Sequence, residues 1–234
     1  MIKLSSRLQT VYDMLPSCDT LADVGCDHGY LSIAVLEKGK CAHVIPMDIN
    51  KGPLESATSN IKEAGLIDRA SLRLSDGLDK LEPKEADVIC ICGMGGILMK
   101  RILENGMRTA KAADILLLEP QSEMSAFRSF LMENNFIILD EELVEEENKI
   151  YPIIKVRPND SRVDLTALEL KYGPRILEKR PELLTKQLEK ERRELVDLIN
   201  RLEEKVVQSE SNLPIENRLK ELKNELKLNK AALG

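Results

Sequence analysis

The sequence predicts an α/β fold with a mostly parallel, doubly wound sheet of seven strands, followed by a C-terminal α-helical hairpin. Over residues 1–160, short apolar runs alternate with helical patterns. Several runs are nearly continuous apolar stretches bounded by Gly, Asp or Pro, as in strands that are buried on both faces. After residue 160 the aromatic residues almost vanish and Leu, Glu, Lys and Arg dominate. We therefore predict an α/β domain over 1–160 and a helical domain over 161–234.

The first domain contains seven strand candidates and five helix candidates. The strands are predicted at 20–26, 42–49, 70–74, 86–92, 115–119, 136–143 and 150–156. The helices are predicted at 4–13, 29–38, 52–64, 96–108 and 122–134. The last helix has a start signal at Ser122 and Ser125 and a stop signal at Asn134-Asn135. Strands that alternate with helices are typical of a parallel sheet covered on both faces.

The final two strand candidates have no helix between them. Only the acidic, polar stretch 145–149 joins them. A connection this short joins antiparallel neighbours, because parallel strands need a crossover of about a dozen residues or more. We expect an antiparallel pair at one edge of the sheet.

Two amphipathic helices are predicted in the second domain, at 181–208 and 215–233. The second helix carries Ile and Leu at a spacing that skips only Asn229. The break at 209–214 contains Ser, Asn and Pro, and Pro214 suits the first turn of a helix. Two such helices joined by a short loop form an antiparallel hairpin, most simply a coiled coil.

The composition excludes several classes of protein. Apolar residues make up 43% of the 234 residues, which argues against wholesale disorder and against a disulfide scaffold. The longest uncharged apolar run, 88–99, is far shorter than the ~20 residues of a membrane span, and the N-terminus lacks a signal-peptide core. Five Cys, mostly inside strand-like runs, suit free thiols in a reducing compartment. We expect a cytoplasmic protein.

Charge is unevenly distributed along the chain. The formal net charge is -6, with net -8 over residues 1–160 and net +2 over 161–234. The acidic balance argues against indiscriminate binding of polyanions, because long-range repulsion opposes approach to phosphate. The acidic net charge does not exclude a local basic patch.

The stretch 23–31, which reads D-V-G-C-D-H-G-Y-L, is the most informative part of the sequence. It ends the first predicted strand and opens the next helix, where a doubly wound sheet binds its ligand. Glycines there let the backbone turn tightly and approach a ligand closely. A full G-x-G-x-x-G is absent, so the pattern does not favour a dinucleotide.

Acidic residues also end the next two strands. Asp48 ends the second strand, where a carboxylate can accept hydrogen bonds from both hydroxyls of a ribose. Asp76-Gly77 follows the third strand, where a carboxylate could receive an adenine amino group. Each Asp could instead cap a helix or a turn. Three acidic strand ends in succession favour a ligand site, and the fourth strand ends in I-C-G-M-G-G at 91–96.

Four features together resemble the bacterial TrmK family: D-V-G-C-D-H-G-Y-L, the G-M-G-G of the fourth strand, the opening L-S-S-R-L and the helical tail. The first motif alone resembles that of class I methyltransferases. The resemblance spans nearly the whole chain and is most specific over 4–96. It implies a Rossmann-like class I methyltransferase domain, S-adenosylmethionine as the methyl donor, and tRNA as the acceptor, methylated at N1 of adenosine 22.

The resemblance also implies a set of site residues. Arg7, in L-S-S-R-L, could pair with the methionine carboxylate of the donor, since a guanidinium binds a carboxylate in a bidentate geometry; it could also be an ordinary surface residue. Asp27 replaces the middle glycine of the usual class I motif. The cofactor pocket would comprise Arg7, Asp23, Gly25, Asp27, Gly29, Asp48, Asp76, Gly77, Gly93, Met94 and Gly95.

Two residues are candidates for the chemistry itself. Adenine N1 is already a neutral nucleophile, so methyl transfer needs alignment more than a strong base. Asp27 is the first candidate, either accepting from the N6 amino group or stabilising the methylated ring. Tyr30 is a candidate stacking or hydrogen-bonding partner of the base, although an aromatic residue there could belong to the core. His28 is a weaker candidate.

The predicted tRNA contacts lie in the helical domain. Its basic residues are interleaved with Glu, and no aromatic platform for stacking RNA bases is visible in the sequence, so shape and phosphate contacts would carry the binding. The contact candidates are Arg175, Lys179, Arg180, Lys186, Lys190, Arg192 and Arg193.

Other interpretations remain open at this point. Cys26, His28, Cys90 and Cys92 resemble a zinc ligand set, but Cys90 and Cys92 lack C-x-x-C spacing and fit buried thiols better, so no metal is expected. The chain could also be a methyltransferase for a small molecule or a protein, with the hairpin as a dimerisation device. A third possibility is a non-catalytic adaptor that keeps a nucleoside-binding pocket.

Overall fold

The computed structural model describes residues 2–208 and 213–234. The chain divides into two compact units, Met1–Asp164 and Leu165–Gly234. No helix in the described ranges is long and apolar enough to cross a membrane.

The first unit contains a seven-stranded sheet, as predicted. The strands lie in the order β3-β2-β1-β4-β5-β7-β6. All pairs among β1 to β5 are parallel, whereas β7 pairs antiparallel with both β5 and β6. The strands are β1 (Cys18–Val24), β2 (Cys41–Asp48), β3 (Arg73–Leu74), β4 (Val88–Met94), β5 (Ile115–Pro120), β6 (Phe136–Glu146) and β7 (Lys149–Pro158).

In the described part of the first unit, six α-helices accompany the sheet, one before β1 and the others between strands. They are α1 (Ser6–Met14), α2 (Tyr30–Glu37), α3 (Lys51–Glu63), α4 (Gly96–Asn105), α5 (Met107–Ala112) and α6 (Met124–Glu133), with a 3-10 turn at Ile67–Arg69. The helix predicted at 96–108 is in fact two helices. It breaks at Gly106, where an added Cβ would lie 2.5 Å from Cβ of Leu78, so only glycine allows this close approach.

The sixth helix begins later than its start signal predicts. Ser122 does not cap it, because its hydroxyl accepts from the backbone N–H of Gly96 at 3.3 Å and the helix begins at Met124. The predicted stop is correct: Asn135 adopts φ 53°, which ends the helix.

The edge pair β6–β7 is antiparallel, as predicted, but the stretch 145–149 is not a loop. The strands continue through Glu146 and resume at Lys149. Only Glu147 and Asn148 form the turn, with φ 50° and 61°. Positive φ at both central residues is the geometry of a type I′ hairpin turn, whose twist matches that of the strands.

The core of the first unit lies between the sheet and its helices. Its members include Val11 of α1, Leu21 of β1, Val35 of α2 and Leu117 of β5, each fully buried. A buried ion pair lies elsewhere in the same unit: Nε of Arg128 is 2.8 Å from Oε1 of Glu141, and both side chains are at most 1% exposed.

The second unit is helical, and it contains two short helices that the sequence pattern did not predict. These are α7 (Ala167–Tyr172) and α8 (Pro174–Lys179); α9 (Glu182–Gln208) and α10 (Leu213–Leu233) follow. A capping box formed by Thr166 and Glu169 starts α7. Helices α9 and α10 run antiparallel and pack through Leu195, Ile199, Leu219 and Leu222. Most of the predicted break, residues 209–212, lies outside the described residues.

Asn229, the residue that interrupts the apolar repeat, is buried between these helices. Its Nδ2 donates to the carbonyl oxygen of Leu188 at 3.0 Å and to Oε2 of Glu191 at 2.9 Å. The hydroxyl of Tyr172 donates to the same carboxylate at 2.7 Å. A buried Asn with such partners specifies one register, because any shift would leave its side-chain N–H groups without these acceptors.

Candidate active site

A cavity of about 440 Å³ opens at the carboxyl ends of β1, β2, β4 and β5. A second hollow of about 280 Å³ adjoins it towards β3, and Gly25, Asp48 and Met94 line both. The first cavity is lined by Ser5, Arg7, Leu8, Asp23, Gly25, Cys26, Asp27, His28, Tyr30, Leu31, Asp48, Cys92, Gly93, Met94, Glu119 and Gln121. The strand ends named from the sequence therefore converge, as parallel strands require.

The loop from β1 to α2 forms one wall of the cavity. Gly25, Asp27 and Gly29 all have positive φ, at 76°, 45° and 72°. A Cβ added to Gly25 would collide with Cε of Met94, so the β1 loop contacts the end of the Met94 side chain at residue 25. Any side chain there would push Met94 away and change the shape of both hollows.

The carboxylates at the strand ends differ in burial. Asp23 is 6% exposed and accepts from the Ser32 hydroxyl at 2.7 Å; burial raises its pKa to about 6, and the Ser32 hydrogen bond opposes the rise. Asp48 is half-buried and accepts from the backbone N–H of Asn50 at 2.8 Å. Asp27 is the most open, with 71% of its side chain exposed.

Two aromatic rings, those of His28 and Tyr30, follow Asp27 in the loop, although the sequence showed no stacking platform. The rings of His28 and Tyr30 are stacked, with centroids 5.3 Å apart and planes 18° from parallel. Nε2 of His28 lies 3.8 Å from Oδ1 of Asp27. Tyr30 is 39% exposed, so the interpretation of this ring as a core residue is wrong.

Arg7 lines the cavity, but it already contacts two carboxylates of the chain. Its Nε donates to Glu146 at 2.6 Å and its Nη1 to Glu119 at 3.2 Å. Its guanidinium also lies 4.6 Å from the ring centroid of Tyr151. A third carboxylate, such as that of a methionine group, would have to share one cation with two anions.

Glu119 is a site residue that the sequence reasoning missed. It is 2% exposed, lines the cavity, and accepts from the backbone N–H of Gly93 at 2.8 Å. Burial raises the pKa of Glu119, and Arg7 opposes that rise. The available signal was an acidic residue at the end of the otherwise apolar strand L-L-L-E-P.

The remaining predicted pocket residues have different positions. Asp76 and Gly77 line the second hollow, together with Ile49, Leu98 and Arg101. Gly29 and Gly95 line neither hollow: Gly29 packs against Ala57 of α3, and Gly95 precedes α4 beside Ser122. These two glycines shape the loops around the site.

The predicted tRNA contacts fall into two groups within the helical unit. Arg175 is paired with Glu178 at 2.8 Å, and Arg180 donates to the carbonyl oxygens of Ala232 and Leu233, which cap the end of α10. Arg180 therefore has a structural contact that the sequence did not reveal. The other members are exposed: Lys179, Lys186, Lys190, Arg192 and Arg193.

The cysteines are free thiols. The Sγ atoms of Cys90 and Cys92 lie 3.4 Å apart, and those of Cys18 and Cys41 lie 2.8 Å apart. In the ranges 2–208 and 213–234, no three His, Cys, Asp or Glu side chains are arranged to hold a metal ion.

Comparison with known proteins agrees with this geometry. A family model described as "Methyltransferase domain" matches residues 4–154. The tRNA (adenine(22)-N(1))-methyltransferase of Bacillus subtilis is 34% identical over 172 residues, which cover 74% of this chain and 72% of the relative.

Solved structures resemble the whole chain. The crystal structure of the B. subtilis M1A22 tRNA methyltransferase TrmK has a TM-score of 0.89 at 28% identity and covers all of both chains. Streptococcus pneumoniae Sp1610 in complex with S-adenosyl-L-methionine has a TM-score of 0.83 at 28% identity, covering 99% of this chain and 100% of that chain. M. capricolum TrmK in complex with S-adenosyl-homocysteine has a TM-score of 0.78 at 26% identity, covering 96% and 98%. The matched domain, the full-length likeness and the converging strand ends place this chain in the family of bacterial tRNA (adenine(22)-N1)-methyltransferases.

Proposed function

We propose that this protein transfers a methyl group from S-adenosylmethionine to N1 of adenosine 22 in tRNA, in the cytoplasm. The observation that carries the proposal is the charge of the cavity. Among the described residues lining it, four carboxyl groups (Asp23, Asp27, Asp48 and Glu119) face one guanidinium, Arg7. An acidic cavity favours a cationic ligand such as a sulfonium. Membership of the tRNA (adenine(22)-N1)-methyltransferase family identifies methyl transfer to adenine N1 as the reaction.

The chain's residues fit a nucleoside ligand with a charged tail. Asp48 lies between the two hollows, where its carboxylate can accept from both ribose hydroxyls. Ile49, Leu98 and Asp76 of the second hollow offer two apolar side chains and one carboxylate to an adenine. Asp23 and Gly25 then lie on the side of the methionine group. Gly25 lines both hollows with positive φ, a backbone conformation that glycine adopts without strain.

The methyl donor, when bound, supplies an electrophilic methyl on a sulfonium, and adenine N1 takes that methyl and the positive charge. The protein must therefore align the base and stabilise a developing cation. Asp27 lies at the open edge of the cavity, and its carboxylate stabilises the developing cation in this scheme. Tyr30 is proposed to contact the base. The target adenosine must leave its pairing to enter the cavity.

A transfer assay tests the proposed function directly. Unmodified tRNA transcript is incubated with the protein and labelled donor, and the methylated nucleoside is identified. We expect label in N1-methyladenosine, and none when the target adenosine is replaced by guanosine. Label in another nucleoside, or only in a protein or small molecule, would reject the proposed acceptor.

Replacing Asp48 should weaken donor binding. We expect Asp48→Ala to raise the Kd for S-adenosylmethionine by about tenfold to a hundredfold, since a hydrogen bond to a charged group contributes about 1.5–3 kcal/mol. Calorimetric titration measures this change. Asp68→Ala, an exposed residue outside both hollows, makes the same charge change and serves as the matched control. Equal Kd values for the two variants would show that Asp48 does not bind the ribose.

Charge reversal on α9 should weaken tRNA binding. Lys190 and Arg193 are exposed, and phosphate contacts release counterions, so each lost contact lowers both the affinity and its salt dependence. We expect Lys190→Glu with Arg193→Glu to lower tRNA affinity about tenfold or more and to flatten the plot of log affinity against log salt. The control is Lys227→Glu with Lys230→Glu on α10, which has the same charge change. If both pairs weaken binding equally, net charge and not a patch on α9 is responsible.

A further inference from the structure

The His28–Tyr30 ring pair is an exposed aromatic surface at the edge of the cavity. The side chain of His28 is 47% exposed and Tyr30 is 39% exposed, while their rings are stacked within 18° of parallel. Both rings line the first cavity, at the carboxyl ends of β1, β2, β4 and β5. They also border an open depression formed with the polar side chains of Ser56, Ser59 and Asn60.

The backbone holds the two rings together. Gly29, between them, has φ 72° and packs against Ala57, with an added Cβ only 3.2 Å from that methyl group. Nδ2 of Asn60 donates to the carbonyl oxygen of His28 at 2.9 Å, which ties the loop to α3. The left-handed turn at Gly29 and the start of α2 at Tyr30 place the two rings on the same side.

This arrangement does little for folding, because the side chain of His28 and the whole of Tyr30 remain 47% and 39% exposed. It does provide an exposed aromatic face, and aromatic faces bind unstacked RNA bases. We propose that the His28–Tyr30 ring pair stacks on the adenine that is methylated. The inference rests on the proposed function and assigns the surface that receives the base.

The carboxylate of Asp27 is close to this surface. Its Oδ1 lies 3.8 Å from Nε2 of His28, so a purine on the rings has a carboxylate at its edge. The ring pair then fixes the plane of the base while Asp27 contacts its polar edge. His28 and Tyr30 are base-binding residues in this scheme, and neither accepts a proton from adenine.

The test uses a tRNA transcript with 2-aminopurine in place of the target adenosine, because stacking on an aromatic ring quenches its fluorescence. Four variants are compared: His28→Ala and Tyr30→Ala, which remove a ring, and His28→Phe and Tyr30→Phe, which keep one. We expect the two Ala variants to lose the quenching and to raise KM for unmodified tRNA about tenfold. The two Phe variants should retain both within about threefold, and all four should bind S-adenosylmethionine like the wild type.

Three outcomes would overturn the proposal: wild-type quenching in both Ala variants, an unchanged KM in both, or Phe variants as impaired as the Ala variants. Donor binding reports whether each variant is folded. The fluorescence arm does not depend on methyl transfer. If the wild type leaves N1 unmethylated but still shows ring-dependent quenching of 2-aminopurine, the proposed methyl transfer is rejected and stacking on the ring pair is supported. If the wild type methylates N1 without ring-dependent quenching, the proposed methyl transfer is supported and stacking on the ring pair is rejected.

Discussion

Turnover of the Asp27→Asn variant should fall about a hundredfold, with smaller changes in donor and tRNA binding. Positive charge moves from the sulfonium to the adenine ring during transfer, so a carboxylate beside the ring stabilises the transition state more than the ground state. A hundredfold loss corresponds to about 2.7 kcal/mol in the activation barrier. Single-turnover rates with saturating donor and tRNA measure the effect.

The choice of Asn separates the two roles proposed for Asp27. An amide oxygen can still accept from the N6 amino group but carries no negative charge. If hydrogen bonding is the main role, Asp27→Asn keeps most of its activity and Asp27→Ala loses it. If charge is the main role, both variants lose it. Asp68→Asn is the matched control, and wild-type turnover in Asp27→Ala would remove Asp27 from the mechanism.

Removal of Glu141 should destabilise the first unit by about 3–5 kcal/mol, because it leaves a buried guanidinium without its carboxylate. The ion pair of Arg128 and Glu141 is 2.8 Å long, and both side chains are at most 1% exposed. We expect Glu141→Leu to lower the denaturant midpoint strongly with little change in the slope of the transition. Equilibrium unfolding in urea measures both quantities.

Two further variants identify the cause. Glu104→Leu breaks the exposed pair with Lys100, whose side chains are nearly half exposed, and should cost less than about 1 kcal/mol. The double variant Arg128→Met with Glu141→Leu should recover much of the loss, because it replaces the buried pair with apolar groups. A double variant as unstable as Glu141→Leu would indicate lost packing and not an uncompensated charge.

Local patterns predicted most of the fold. The apolar runs gave the seven strands, and the missing helix before the last strand indicated the antiparallel edge pair. The predicted ends of helices were less accurate where a tertiary contact determines the end. Gly106 splits a helix because Leu78 packs against it, and Ser122 bonds to Gly96 instead of capping α6. Neither partner is adjacent in sequence.

As with the fold, the sequence predicted part of the site and missed the contacts between distant residues. Asp23 and Asp48 lie at the ends of parallel strands and Asp76 follows a third, so their convergence near one edge follows from topology. The partners of Arg7 do not, since Glu119 and Glu146 lie 112 and 139 residues further along the chain. The hydrogen bonds of Arg180, a predicted tRNA contact, to the carbonyl oxygens of Ala232 and Leu233 likewise join residues 52 and 53 positions apart.

By itself, the sequence determined the α/β class, the helical tail, the acidic strand ends and the resemblance to a tRNA methyltransferase family, because periodicity and motif spacing are properties of neighbouring residues. The tertiary structure alone decided which carboxylates share Arg7, that Glu119 is buried in the cavity wall, and that His28 and Tyr30 form an exposed ring pair. These features depend on which distant segments pack together and on one left-handed glycine. Neither leaves a periodic trace in the sequence.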